Sequence, residues 1–352
     1  MMAQPLPNYR PYRFFIVDVF TQMPFNGNQL AVFPDAQGLS TALMQVIARE
    51  FNFAETVFIF PPKKPEHTAR FRIFTPTSEL PFAGHPNLGA AAVLTYLAGH
   101  NSADKSHMLV EEAAGVVDLH VDTSSGLFAR LTIEPGPQDF PTAPDIRVLA
   151  KVLSLNPDLL LRTWFGSAGV PFCFVHISDK SSVDLAVLDR PAWKEHIKDS
   201  HSPHIFFFSG SLEPGGSLYA RMIAPALGID EDPATGAAAA ALATFLATES
   251  SAQEGKFDLE IAQGVALGRP SRITAFAEKR MGRVISAGVG GHVSLVGEGL
   301  MRVPLTDFRG SAGASELSES NIQSTPHLNN DAYTDASRHV DEYSIPKPES
   351  GD

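Results

Sequence analysis

Two nine-residue stretches decide how this chain reads: Ala90-Ala91-Ala92-Val93-Leu94-Thr95-Tyr96-Leu97-Ala98 and Ala239-Ala240-Ala241-Leu242-Ala243-Thr244-Phe245-Leu246-Ala247. They lie 149 positions apart, and the same ungapped offset sets Arg72 against Arg221 and Pro76 against Pro225. Over residues 72–98 it gives eight identities: the Arg, the Pro, four Ala, the Thr and the Leu. Alanine richness inflates that score, but the context repeats too. In both copies an apolar strand ends at Pro, crosses a polar turn and opens into a small-residue helix. A repeat of this kind predicts two related domains. A helix that is apolar or small on every side is surrounded by other elements, so each domain is expected to wrap its sheet around this central helix. The polar turn in each copy then sits at a helix N-terminus, where free N–H groups and the positive dipole end favour an anion.

Working outward, the first half alternates strand and helix signals. Residues 14–20, 30–33, 55–60 and 69–74 read as strands. Ser40 is placed to cap a helix running to about Phe51, with Leu43, Val46 and Ile47 on one face. A helix is expected after Gly89, then β-rich segments over 108–134. The second half repeats the plan, with a helix near 146–155 and strands at 172–177, 205–208 and 218–223. The alanine-rich helix follows, then strands at 272–276 and 284–296. After Pro304 the apolar periodicity stops, and Ser, Asn, Asp, Gly and Pro dominate, the composition of a flexible tail.

Hydrophobic residues make up 44% and charged residues 19% of the 352, ample for a buried core. A net charge of -12 argues against nucleic acid or acidic membrane as partners, since both call for clustered Lys and Arg. Residues 306–352 hold nine acidic and three basic side chains, so half of that imbalance is local to the tail. The most apolar run, 237–247, is far shorter than the roughly 20 residues of a membrane span. No signal-peptide pattern opens the chain, and a cytoplasmic setting is expected. The single cysteine, Cys173, cannot form an internal disulfide or a two-thiol catalytic pair, and its apolar surroundings read as a buried strand.

Three places carry polar groups suited to chemistry. Glu55, in Phe53-Ala54-Glu55-Thr56-Val57-Phe58, stands where a helix gives way to an apolar strand. A carboxylate there is either a rim charge or a group held in a cleft, and partial desolvation would fit it for general acid/base work. His85 lies between Gly84 and Pro86 in a turn, either as polar filler or as a group exchanging protons with a substrate. Asp232 belongs to Asp230-Glu231-Asp232-Pro233-Ala234-Thr235-Gly236, acids that helix capping alone also explains. No metal site is expected: these three acids lack the interleaving of a calcium loop, and His196, His201 and His204 lack zinc-ligand spacing. Neither a dinucleotide or phosphate-loop glycine pattern nor a serine nucleophile elbow is present.

Together these pieces resemble the PhzF-like phenazine-biosynthesis family of the diaminopimelate-epimerase fold. The resemblance rests on Val17-Asp18-Val19-Phe20, on the run from Pro24 through Asn28 to Val32, and on Ala48 to Thr56 around Glu55. It continues through Phe74-Thr75-Pro76 with Glu79, Phe82-Ala83-Gly84-His85-Pro86, Glu231 to Gly236, Gln263-Gly264 and Gly268-Arg269-Pro270-Ser271. The motifs follow the family's order from about residue 13 to 300.

The resemblance implies an α+β protein of two pseudo-symmetric domains, each a curled mixed sheet or barrel around a central helix, with the site in the cleft between them. Their expected bounds are 1–140 and 141–305, the last strand being a candidate to return to the first domain, and 306–352 is the acidic tail. It also implies cofactor-free isomerisation of a small carboxylate-bearing molecule, usually in a homodimer. Glu55 matches the family's general acid/base, with His85 and Asp232 as partners for returning the proton. Asn28, Gly84, Pro86, Thr235, Gly236 and Ala237 are expected to line the substrate site. Ala237 replaces a usual Ser and Asn87 a usual Thr or Ala, which alters the lining of the pocket. Two other readings stay open: an amino-acid racemase or epimerase, and a catalytically inactive protein that binds a metabolite or a partner.

Overall fold

The computed structural model describes residues 9–99, 105–136, 138–228 and 230–304. The acidic tail, 306–352, lies outside them.

The first half runs β1 (Tyr9–Val19), β2 (Asn28–Phe33), α1 (Thr41–Phe51), β3 (Glu55–Phe60), β4 (Ala69–Phe74), a short β5 (Glu79–Leu80), α2 (Gly84–Ala98), β6 (Lys105–Glu112), β7 (Gly115–Asp122) and β8 (Phe128–Ile133). The second runs α3 (Ile146–Val152), β9 (Leu160–Ser167), β10 (Pro171–Ile177), α4 (Lys180–Leu185), α5 (Arg190–His196), β11 (Ile205–Gly210), β12 (Gly216–Ile223), α6 (Gly236–Glu249), β13 (Gly255–Gln263), β14 (Ser271–Arg280) and β15 (Arg283–Pro304).

The strands lie in the order β1-β2-β3-β4-β6-β7-β8-β15-β14-β13-β12-β11-β10-β9, and β1 also pairs with β15, closing the first eight of this order into a barrel. The repeat is topological as well as sequential. β1/β2 and β9/β10 are antiparallel, β2/β3 and β10/β11 parallel, β3/β4 and β11/β12 antiparallel, β4/β6 and β12/β13 parallel. Parallel neighbours need a crossover, and helices supply each one. α2 and α6 are the crossovers of equivalent pairs, which is why the two small-residue stretches match.

Both helices are encased. Every residue from Gly84 to Val93 is buried, as is every residue from Ala238 to Thr244. Small side chains let the surrounding strands approach: a Cβ on Gly89 would meet Leu30 Cδ2 at 2.5 Å. α2 and α6 share one continuous apolar core, while α3, α4 and α5 close a second against the outer face of β9–β12. Cys173 is fully buried in that second core, and burial pushes its thiol up to about 12.

Three expectations need correction. The helix expected after Gly89 begins at Gly84, because Pro86 stands in its first turn, where an N–H has no intrahelical partner to lose. α1 buries Met44, Ile47 and Ala48, and Val46 is exposed; Ser40 does cap the helix, accepting from Leu43 N. β9 and β13 were not expected at all, although Lys256 to Gln263 alternates exposed and buried residues along β13.

Candidate active site

The first turns of α2 and α6 meet. A Cβ on Gly84 would lie 3.4 Å from the backbone nitrogen of Ala237 and 3.7 Å from the carbonyl carbon of Gly236. Larger residues here would hold the two helix ends apart. Ser40, Asp145, Asp179 and Asp189 cap α1, α3, α4 and α5 through their side chains. Neither Ala83 at α2 nor Thr235 at α6 makes such a bond. The two ends that face each other are thus the two whose first-turn N–H groups no capping side chain satisfies.

Glu55 opens β3, paired in parallel register with Leu30 of β2. Its Oε2 lies 3.3 Å from Nε2 of His85, the side chains being 16% and 7% exposed. Neither atom has the alignment of a hydrogen bond. Burial, reinforced by the negative charge of Asp232, raises Glu55 to about 8. Burial lowers His85 to about 3 against an opposing backbone hydrogen bond with Gln29. At neutral pH the pair is therefore a carboxylic acid beside a neutral imidazole.

Asn28, at the start of β2, joins this pair to the second turn. Its Nδ2 donates to Asp232 Oδ1 at 2.8 Å and to the carbonyl of Ala234 at 3.0 Å, and lies 3.4 Å from His85 Nδ1. Asp232 also accepts from the Thr235 hydroxyl at 2.6 Å. Burial raises Asp232 to about 6, and the bonds from Thr235, Asn28 and the Ala234 backbone limit the rise.

Sequence reasoning left two supports outside the site. Gln263, fully buried at the end of β13, accepts from Thr235 N at 3.0 Å and donates to Asp232 O at 2.8 Å, fixing the turn before α6. Arg269 binds Asp18 at 2.5 Å and the carbonyls of Asn26 and Gly27, pinning the loop that delivers Asn28. Both residues lie in motifs that carry the family resemblance, Gln263-Gly264 and Gly268-Arg269-Pro270-Ser271, but neither motif on its own points to the site.

The expected site residues thus converge. Glu55, His85, Asn28, Asp232 and Thr235 form one connected cluster beside Gly84, Gly236 and Ala237, and Pro86 is buried in the first turn of α2.

A continuous mixed sheet, closed through β1 and β15 into a barrel in its first half and packed on two central helices whose first turns meet, defines a protein of the diaminopimelate-epimerase fold. More narrowly, the chain belongs to the phenazine biosynthesis-like, or PhzF, family, whose model matches residues 17–299, and it is an isomerase. It is 37% identical over 296 residues to an uncharacterized isomerase of Mesorhizobium japonicum, covering 81% of this chain and 97% of that one. To the trans-2,3-dihydro-3-hydroxyanthranilate isomerase of Pseudomonas chlororaphis it is 34% identical over 289 residues, 82% and 98% of the two chains. The crystal structure of the Bacillus anthracis PhzF-family protein superposes with a TM-score of 0.71 at 22% identity, covering 83% of this chain and 99% of the other. No helix among the described residues is long and apolar enough to cross a membrane.

Proposed function

We propose that the chain isomerises a small carboxylate-bearing metabolite without a cofactor, using Glu55 as the group that takes and returns the proton. The observation that carries this is a carboxyl raised to about 8 beside two abutting helix N-termini that lack side-chain caps. With that pKa, roughly one molecule in ten holds Glu55 ionised at pH 7. That fraction is a stronger base than an ordinary carboxylate, and the acid form survives to give the proton back.

In the proposed cycle the substrate carboxylate binds against the first-turn N–H groups of α2 and α6. Glu55 removes a proton from a carbon acidified by a neighbouring unsaturated or carboxyl group. The electron pair moves through that system, and the helix ends stabilise the negative charge that develops. Glu55, with His85 or Asp232 in relay, then delivers the proton to a different carbon. Substrate and product differ only in the positions of one hydrogen and one double bond, so atoms and electrons balance. Cys173, single and buried, rules out a thiol-pair route for this chain. Two lobes bounded near 140/141 and a homodimer are part of the same reading.

The test is turnover in D2O of dihydroaromatic carboxylates, beginning with trans-2,3-dihydro-3-hydroxyanthranilate, followed by NMR. Deuterium at a carbon other than the one deprotonated supports a proton shift. Exchange with inversion at a single carbon indicates a racemase or epimerase, and no exchange across the panel indicates a binding protein.

A further inference from the structure

We propose that His107, Asp118 and His120, on the β6–β7 hairpin, form a surface site for one late first-row divalent metal ion, Zn2+ being the natural candidate. His107 and His120 are directly opposed in the antiparallel register, and Asp118 stands two residues before His120 on the same strand. Alternate strand residues share a face, so all three side chains rise from one side of the hairpin. Among the described residues this set brings one ligand atom from each side chain within 4.8 Å of the others.

The geometry resembles part of a coordination shell. Nε2 of His107 and Nε2 of His120 each lie 3.1 Å from the same oxygen, Asp118 Oδ1. Zinc–ligand bonds of about 2.0–2.2 Å place neighbouring ligand atoms about 2.8–3.1 Å apart in an octahedral shell and about 3.3–3.6 Å apart in a tetrahedral one. The imidazole rings stack 4.4 Å apart at 11°, so a shared ion in the plane of both requires the two exposed rings to splay from this stack. The side chains are 53%, 44% and 52% exposed, which leaves room for water to complete the shell. Two imidazoles and one carboxylate suit zinc, copper and nickel better than calcium or magnesium.

The nearest cation on the next strand is turned elsewhere. Arg130 of β8 pairs with His120 in register, yet its guanidinium sits over the Phe276 ring, 4.4 Å from the centroid. None of Glu55, His85, Asn28, Asp232 and Thr235 lies on the hairpin. A bound ion would therefore clip β6 to β7 and add stability through its affinity for the folded hairpin.

The test is titration calorimetry of the untagged full-length chain with zinc chloride, beside the double variant His107→Ala/His120→Ala. Because these residues are exposed, the variant's metal-free circular dichroism and Tm should match those of the wild type. The expected result is one ion per wild-type chain, affinity at least tenfold weaker in the variant, and a zinc-dependent rise in Tm confined to the wild type. Copper substituted into the wild type should give an electron paramagnetic resonance spectrum with coupling to two nitrogens. Unchanged affinity in the variant, or no wild-type binding at 1 mM zinc, would overturn the proposal. If the metal-free variant proves unstable, Asp118→Asn takes its place, and undiminished zinc affinity in that protein counts equally against the site.

Discussion

Oε2 of Glu55 and Nε2 of His85 lie 3.3 Å apart and yet share no aligned hydrogen bond. Burial has pushed the two pKa values in opposite directions, to about 8 and about 3, so there is no ion pair to draw them together. The Glu55 carboxyl is left able to turn toward a third party. Asp232 keeps its charge over a lower range, about 6, because Thr235 and Asn28 hydrogen-bond it.

The raised pKa of Glu55 makes a stability prediction of definite sign. Its folded value is above its unfolded one, so stability is lost as pH rises from about 4.5 through about 8. His85 acts in the opposite sense: stability is lost as pH falls from 6.5 towards about 3. That contribution is common to wild type and Glu55→Gln and cancels in their difference. The Tm of Glu55→Gln relative to wild type should therefore rise by roughly 2 °C or more between pH 5 and pH 8.5. A flat difference in calorimetry would show that Glu55 titrates normally.

Asp232 contributes to that shift through its charge. In Asp232→Asn the Glu55 carboxyl should titrate below its wild-type value, read from the carbon-13 shift of its labelled carboxyl. Turnover should fall at least about tenfold, since the variant keeps only one of the two oxygens that accept from Asn28 and Thr235 and turns an amide NH2 toward the other donor. An unmoved titration would remove Asp232 from the electrostatics of the site.

Giving α2 a cap should trade binding for stability. Ala83 has the extended backbone of a capping position, φ -153° and ψ 145°. Ala83→Asp should stabilise the fold by about 0.5–2 kcal/mol while placing a competing carboxylate where the substrate anion belongs. The expected pairing is a higher Tm with KM raised roughly tenfold. A higher Tm with unchanged KM would argue that the substrate does not use this helix end.

Glycine is required where the chain turns beneath the site. Gly264 has φ +74°, and a Cβ there would lie 2.5 Å from the carbonyl oxygens of both Arg269 and Pro233. At Gly84 the nearest atom would be at an ordinary 3.4 Å. Gly264→Ala should cost about 2 kcal/mol or more in denaturant unfolding, and Gly84→Ala well under half of that. Equal costs would mean that the Gly264 turn relaxes without strain.

Local signals were legible wherever a short stretch carries its own physics. Ser40 caps α1 as its position requires, and the alanine runs became two encased helices because no face of either was polar enough for water. Arg72 and Arg221, matched by the repeat, each hold an acid ahead of the central helix, Glu79 and Glu231. Gly-His-Pro reads as a turn because glycine and proline break helices in mid-run, whereas here they fill a first turn. The contacts that assemble the site were beyond reach without the resemblance. Asn28 meets Asp232 across 204 positions and Arg269 meets Asp18 across 251, and no single-sequence pattern encodes such pairings. The histidine pair of the hairpin depends on a strand register that the sequence left open.

The central claim is that Glu55 carries the proton, and Glu55→Gln measured on a turned-over substrate tests it most directly. The amide keeps the size of the side chain but can no longer exchange a proton with carbon. The account predicts kcat lowered by about a thousandfold or more, KM within a few fold of wild type, and deuterium incorporation from D2O abolished. Turnover within tenfold of wild type, with deuterium still entering the product, would contradict it.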